Sequence, residues 1–181
     1  MRIPLATLLG FLLLSFTAVA QDFEVPAQLP VTKDEFVKSE PDFILAAKWL
    51  ESNPLGTQEV KTKKMNAWVL AWITNSPTVT VEIRSFVTKI FDKNTQLLMV
   101  FMAGYSRYCL ENNYSSDQLK ANTAGVKSAI SCYNLGGDVK KNKTLSAAID
   151  ADKEGKLEDW VREAMKKEMI DPRLSFLLSS R

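Results

Sequence analysis

The sequence predicts an all-α, single-domain protein, an irregular helical bundle of about six to eight helices with at most a minor extended segment near residues 78–83. Three observations support this prediction. Apolar residues recur mostly at helical spacing, N-cap residues and glycines separate the helical stretches, and two stretches are apolar on every face. A length of 181 residues fits one ordinary domain.

The first 20 residues have the pattern of a signal peptide. Arg2 supplies a positive charge, residues 5–16 are mostly apolar, and Ala18-Val19-Ala20 is an A-x-A cleavage site. The alternative, a membrane anchor, is disfavoured because the apolar run is shorter than the ~20 residues that span a bilayer. Cleavage before Gln21 leaves 161 residues. We therefore expect an exported protein, periplasmic or secreted.

Two segments flank the predicted helical domain, which spans residues 32–170. Residues 21–31 contain two prolines and show no clear period, so an extended N-terminal segment is expected there. Residues 171–181 follow the last amphipathic helix and form a C-terminal tail. Its apolar residues are expected either to pack back on the bundle or to form a contact surface.

The helical domain begins with a capping box, because Thr32 is followed three residues later by Glu35. Pro41 is expected to keep this first helix short, since proline interrupts helical hydrogen bonding. Ser39 is then expected to cap a second helix, which the sequence Asn53-Pro54-Leu55-Gly56 ends.

Two later helices, at about 59–74 and 95–111, are predicted to form the centre of the bundle because each is apolar on all faces. Thr95 is the expected cap of the second one. Between them, residues 78–83 alternate with period two, and a short helix follows at about residues 83–91. One isolated extended segment has no strand to pair with, so any β content should be minor.

Three more helices complete the predicted bundle. Ser115 and Gln118 form a second capping box, and the helix after them ends at Leu135-Gly136-Gly137. A short helix runs from Thr144 to about residue 154, where Gly155 breaks it. The last helix is amphipathic and ends at Asp171-Pro172.

Composition and charge exclude several classes of function. The chain has no His, which excludes imidazole-based catalysis and mixed Cys/His zinc sites. After loss of Arg2 the mature chain has a net charge of +1, which argues against binding nucleic acid or anionic membranes. No later apolar run is long enough to span a membrane. No cofactor is expected.

Cys109 and Cys132 are predicted to remain free thiols. In an antiparallel helical hairpin with its turn near residues 113–115, their heights would differ by about 12 residues, or ~18 Å. A disulfide needs Cα atoms within ~7 Å.

Residues 150–161 resemble an EF-hand calcium loop at positions 1, 3, 6 and 8. Asp150, Asp152 and Glu154 are the candidate ligands, but Val161 occupies position 12, where a bidentate Glu normally binds the ion. We therefore expect no metal site. The simpler interpretation is a helix that ends at Gly155, followed by an acidic first turn.

Catalysis without His has little support in the sequence. No Ser-x-x-Lys or Thr-x-x-Lys, nucleophile elbow or glycine-rich phosphate loop occurs. Carboxylates could still catalyse hydrolysis, but no pair of them can be identified as catalytic. No catalytic residue is assigned, and a His-independent hydrolase is the least favoured function.

A group of aromatic residues with one arginine is the candidate ligand-binding site. Core packing explains the same one-turn spacings and is preferred, because aromatic residues dominate core burial. Arg107 is expected either to pair with Glu111 or to receive an anion at a pocket mouth. The candidates are Trp68, Trp72, Tyr105, Arg107, Tyr108 and Tyr114.

Three segments, at residues 72–77, 101–108 and 111–115, give the chain a resemblance to known proteins. They read Trp-Ile-Thr-Asn-Ser-Pro, Phe-Met-Ala-Gly-Tyr-Ser-Arg-Tyr and Glu-Asn-Asn-Tyr-Ser. In these segments the chain resembles uncharacterised small exported α-helical proteins of Bacteroidetes-type bacteria, which have no assigned function. The resemblance implies export and an all-α fold and supplies no active site.

Two functions are therefore considered for the mature protein. The favoured one is a non-enzymatic binding or protein-interaction module with an unknown protein partner. The alternative is a carrier that encloses a small apolar ligand in its interior, which is rich in Phe, Met and Trp. An apolar cavity would favour the carrier, and a filled core with an exposed apolar patch would favour the interaction module.

Overall fold

A computed structural model describes residues 23–170, with side chains described to residue 167. This part of the chain contains seven α-helices and no strand, which confirms the predicted all-α, single-domain helical bundle. The predicted signal peptide and C-terminal tail lie outside the described residues. The helices are α1 (Lys33–Ser52), α2 (Glu59–Asn75), α3 (Ser85–Ile90), α4 (Leu97–Glu111), α5 (Gln118–Asn134), α6 (Lys143–Lys153) and α7 (Leu157–Ile170).

The predicted capping box at the start of α1 is confirmed. The Thr32 side chain accepts a hydrogen bond from the Glu35 N–H, and the Glu35 carboxylate accepts one from the Thr32 N–H. These two bonds satisfy backbone donors that the first helical turn would otherwise leave unpaired.

The prediction of two helices separated at Pro41 was wrong, because α1 continues through this residue for its full 20 residues. Pro41 removes one backbone donor, but burial of Phe43 and Leu50 beyond it fixes the helix against the core. Ser39 is therefore not an N-cap. Its Oγ donates instead to the Phe36 carbonyl, one turn earlier in the same helix.

The segment between α2 and α4 agrees with the predicted order. Residues 79–84 form neither helix nor strand, and α3 follows them directly. Thr95 does not cap α4, because backbone turns satisfy the N–H groups there: Leu97 N–H donates to Asn94 and Leu98 N–H donates to Thr95. The side chain of Thr95 is therefore not needed for capping.

The central position predicted for α4 is confirmed, since it packs against α1, α2 and above all α5. Two glycines allow α4 and α5 to approach closely. A Cβ at Gly104 would lie 2.3 Å from the Ser128 Oγ, and a Cβ at Gly125 would lie 2.8 Å from the Phe101 carbonyl oxygen. The two backbones thus meet where each helix lacks a side chain.

The N-terminus of α5 differs from the predicted capping box at Ser115 and Gln118. Asp117 is the N-cap, and its carboxylate accepts from the Lys120 N–H at 3.0 Å. A carboxylate is favoured there because the positive end of the helix dipole attracts it. Ser115 lies two residues before this N-cap, and its Oγ accepts a hydrogen bond from the Asp117 N–H.

Asparagine side chains attach the loop that precedes α6 to the rest of the bundle. Asn94 is buried; it accepts from the Lys140 N–H at 2.7 Å and donates to the Lys140 carbonyl at 2.8 Å. Asn142 caps α6 by accepting from the Leu145 N–H. The same loop forms a single isolated bridge with Leu55. The amide side chains of Asn94 and Asn142 thus form hydrogen bonds with backbone groups, as a neighbouring strand would in a sheet.

Candidate functional site

The three tyrosines of the predicted ligand site lie in different environments. Tyr105 is buried, and its hydroxyl donates to the Gln118 side chain at 3.0 Å. Burial raises the pKa of Tyr105. Tyr114 is half exposed at a turn, where its hydroxyl donates to Glu40 at 3.0 Å. Tyr108 is half-buried on α4. Tyr105 and Tyr114 thus donate to different partners, and Tyr108 packs against the core.

Arg107 forms an ion pair with Glu111, as one of the two sequence interpretations predicted. Its Nε lies 3.7 Å from Glu111, but its Nη1 makes a shorter contact, 2.8 Å, with Glu51 on α1. Glu51 also accepts from the Ser128 Oγ at 3.0 Å. This carboxylate therefore joins α1, α4 and α5, and the guanidinium is engaged within the bundle.

Trp72 belongs to the interior. Its side chain is fully buried, its ring lies 4.2 Å from the Phe43 ring between centroids, and its Nε1 donates to the Ser39 Oγ at 2.8 Å. Both the apolar surface and the polar atom of the indole are satisfied. Trp72 thus follows the core-packing interpretation.

Trp68, one turn earlier on α2, differs from Trp72 in the hydrogen bonding of its indole N–H. Its side chain is 6% exposed, and its Nε1 is inaccessible to solvent with no hydrogen-bond partner in the described part of the chain. A buried donor without a partner costs about 1–3 kcal/mol. The indole N–H is therefore available to an acceptor that reaches it.

The N-terminal segment of residues 23–31, which we call the arm, packs beside this indole. It forms no helix or strand and bends at residues 27 and 28. Phe23 and Val25 pack against the core, and Glu24 lies 3.2 Å from the Lys61 ammonium on α2. At its other end, the Val31 N–H donates to Glu35. The arm is thus attached to the bundle at both ends.

Two clefts open to solvent flank the arm, and Trp68 lines both. The first, of about 360 Å³, lies between Leu29 of the arm and α1, where Lys38 and Asp42 line it. The second, of about 540 Å³, lies between the arm and α2, where Ala67 is part of its wall. We call the surface of α1 and α2 around this indole the Trp68 groove; the arm borders both clefts on this surface.

Basic side chains surround the α2 side of the Trp68 groove. Lys64 lines the second cleft, and Lys61 contacts the arm through Glu24. The Lys61 ammonium also lies 5.4 Å from the centre of the Trp49 ring, a cation–π contact that holds it in place. The groove thus combines an apolar wall, an unpaired N–H donor and ammonium groups.

The EF-hand-like segment has helical geometry. Asp150 and Asp152 lie within α6, and only residues 154–156 separate α6 from α7. Asp150 is 3.9 Å from Lys153, and Glu154 is 2.8 Å from Lys156. Within residues 23–170 no cluster of three or more Cys, Asp or Glu side chains could hold a metal ion.

Both cysteines are buried thiols in the described structure. The Cys132 Sγ donates to the Asn53 carbonyl at 3.3 Å, and burial raises the pKa of this thiol to about 11. Burial also raises the pKa of Cys109. These environments disfavour the thiolate that nucleophilic chemistry requires. That both thiols stay free in an oxidising environment remains a prediction.

The arm was not predicted as part of a site, although the sequence contains a signal for it. Its apolar and proline residues, Val25, Pro26, Leu29 and Pro30, are unusual for a polar linker and are consistent with packing on a surface. Glu51 and Glu40 gave no such signal, because their partners are distant in sequence.

No protein-family model matches the chain, and neither a curated protein nor a solved structure is significantly similar to it. The resemblance to exported proteins of Bacteroidetes-type bacteria therefore remains a prediction. None of the described helices is both long and apolar enough to cross a membrane.

Proposed function

We propose that this protein is an exported, non-enzymatic protein-interaction module that binds a polypeptide at the Trp68 groove. The observation that carries the proposal is the Trp68 indole, which lines two open clefts while its buried N–H has no partner in the described chain. Export rests on the signal-peptide pattern of the first 20 residues.

The groove offers a polypeptide three kinds of contact. Apolar side chains can pack beside Trp68 and Ala67, and a backbone carbonyl that reaches the buried Trp68 N–H can accept from it. Lys64 can attract a carboxylate at the rim. An aromatic anchor surrounded by weaker polar contacts is the usual arrangement of binding energy in protein interfaces.

A carrier of a small apolar ligand is the second candidate. Volumes of about 360 and 540 Å³ fall in the range of small-molecule sites, and this observation favours it. Both clefts are open to solvent, however, whereas a carrier buries most of its ligand. The interior expected to hold the ligand is filled by side chains such as Trp72, Tyr105 and Phe101, each at most 1% exposed.

A hydrolase has less support at this groove. Glu35 lines the first cleft, but its carboxylate accepts from the Val31 and Thr32 N–H groups. These bonds lower the pKa of Glu35, so it is ionised and engaged in helix capping at neutral pH. It is therefore not suited to act as a general acid.

Native mass spectrometry of the mature protein, purified gently from its own host, tests the proposal. We expect added mass that dissociates on activation as a polypeptide, and loss of that mass in a Trp68→Ala variant but not in an Ala147→Ser variant on the distant helix α6. A small apolar molecule in its place would support the carrier. Added mass that Trp68→Ala retains would show that another surface binds.

A further inference from the structure

We propose that the arm, residues 23–31, is a displaceable self-ligand of the Trp68 groove, and that the partner is an extended, proline-containing segment of another protein with an acidic side chain. This inference rests on the proposed function, because it names the partner and the regulation of the same groove. According to this inference, the arm covers the Trp68 groove until a segment that binds more tightly replaces it.

The contacts of the arm define the chemistry of the partner. Pro26 and Leu29 line both clefts together with Trp68, and Val25 packs against the core. Glu24 supplies a carboxylate to Lys61 at 3.2 Å. A partner that made the same contacts would need an acidic residue followed by apolar residues and proline. Prolines reduce the entropy that an extended segment loses on binding.

The arm is an imperfect ligand, and this makes it displaceable. It lines both clefts with Trp68 but accepts no hydrogen bond from the Trp68 N–H, which stays buried and unpaired in the described residues. Two of its residues are also well exposed: the Glu24 side chain is 67% accessible, and Leu29 is 42% exposed. A segment with a carbonyl positioned at the Trp68 N–H would gain a contact that the arm lacks.

The tethered arm has one advantage over any free segment, namely its high effective concentration. A short flexible connection gives an effective concentration on the order of millimolar, so a free peptide with equal contacts competes poorly. Weakening the arm by substitution, without removing it from the chain, should therefore uncover the groove.

The test measures binding of a fluorescent synthetic peptide with the sequence of residues 23–31 to the full mature chain by anisotropy. We expect a Val25→Asp variant to bind this peptide about tenfold more tightly than the unsubstituted chain does, because the substitution weakens the attached arm and not the peptide. Ala147→Asp, which introduces the same side chain at an exposed residue of α6 that lines neither cleft, is the matched control and should leave the affinity unchanged.

Charge reversal tests the contact with Lys61. Added to Val25→Asp, the change Lys61→Glu should weaken binding of the original peptide about threefold or more. It should strengthen binding of a peptide that carries Lys in place of Glu24. A peptide with both prolines replaced by alanine should bind more weakly to every variant. Absence of a charge-reversal effect would overturn the acidic character assigned to the partner.

The outcomes separate this inference from the proposed function. Equal peptide affinity for the unsubstituted and Val25→Asp chains would overturn displacement of the arm and leave groove binding intact. No peptide binding by any folded variant would overturn the inference, whereas the polypeptide seen by native mass spectrometry would still support an interaction module. Concentration-dependent dimers that the peptide dissociates would show that the occupant is a second copy of the chain, and would overturn the assignment to another protein.

Discussion

At the scale of single residues, Gly104 and Gly125 allow α4 and α5 to cross in close contact. The methyl group of an alanine at Gly104 would lie 2.5 Å from the Ser128 Cβ, and one at Gly125 would lie 2.7–2.8 Å from the Phe101 ring. Atoms at such distances overlap, so a helix or a side chain must move. Cores of native density offer little room for that movement.

We expect Gly104→Ala and Gly125→Ala each to lower the free energy of unfolding by about 1–3 kcal/mol, the usual cost of overpacking. This loss would occur although alanine favours a helix by about 1 kcal/mol over glycine. Urea unfolding followed by circular dichroism measures it. The reverse change at an exposed helical position, Ala147→Gly, should cost only about 1 kcal/mol. Increased stability of both alanine variants would contradict the close crossing.

The Cys132 thiol should make the fold less stable in alkali. Its folded-state pKa of about 11 exceeds the ordinary value of 9.0, so the unfolded chain releases the proton first. The thiol therefore contributes stability below pH 9 that is lost as the pH rises to 11. We expect Cys132→Ala to reduce this fall in the free energy of unfolding, measured by unfolding from pH 8 to 11.

The mass of the denatured protein tests whether both thiols are free. A mass two daltons below that of the dithiol would reveal a bond between Cys132 and Cys109.

At the scale of elements, α1 continues through Pro41 at a cost in the free energy of unfolding. Pro41 cannot donate to the Val37 carbonyl, and it lies on the exposed side of the helix, where packing does not require it. We expect Pro41→Ala to raise the free energy of unfolding by about 1–3 kcal/mol. Thermal unfolding measures the gain, with Pro77→Ala in the following loop as the control. A loss of stability would mean that a bend at Pro41 fits α1 to the core.

The position of the loop before α6 depends on the side chain of Asn94. This buried side chain both donates to and accepts from the backbone of Lys140. We expect Asn94→Ala to lower the free energy of unfolding by about 2 kcal/mol, the value of two hydrogen bonds. Asn94→Asp can accept but not donate, so its effect should be intermediate or, if the buried charge dominates, larger. In these variants, the backbone amides of residues 138–142 should exchange their hydrogens faster than in the unsubstituted chain. Unchanged protection there would contradict this role.

At the scale of the whole molecule, the predicted signal peptide would determine which chain folds. We expect the product exported by a bacterial host to begin at Gln21 and to have the mass of 161 residues. Ala20→Arg should block cleavage and leave the chain 20 residues longer, whereas Val19→Leu, at the tolerant middle position, should not. Intact mass spectrometry of the periplasmic fraction measures both. A cytoplasmic product that retains Met1 would contradict export.

Within the bundle, the order of helices was predictable because it depends on local signals. The Thr32 capping box, the fully apolar stretch of α4 and the glycines after α5 each act within a few residues. The wrong N-caps at Thr95 and Ser115 had local causes, namely backbone turns before α4 and the neighbouring Asp117 before α5. The wrong break at Pro41 arose because distant packing overrode a local preference: burial of Phe43 and Leu50 against other helices holds α1 together.

Local signals in the sequence predicted the all-α bundle and, apart from the break expected at Pro41, most helix boundaries to within a few residues, and the lack of His excluded imidazole chemistry. Tertiary packing sets the different environments of the two tryptophans of α2. Trp68 and Trp72 are one turn apart and equivalent in pattern, yet the Trp72 N–H donates to Ser39 while the Trp68 N–H is buried without a partner in the described residues. That difference depends on contacts with residues 23–39, and no local spacing on α2 encodes them.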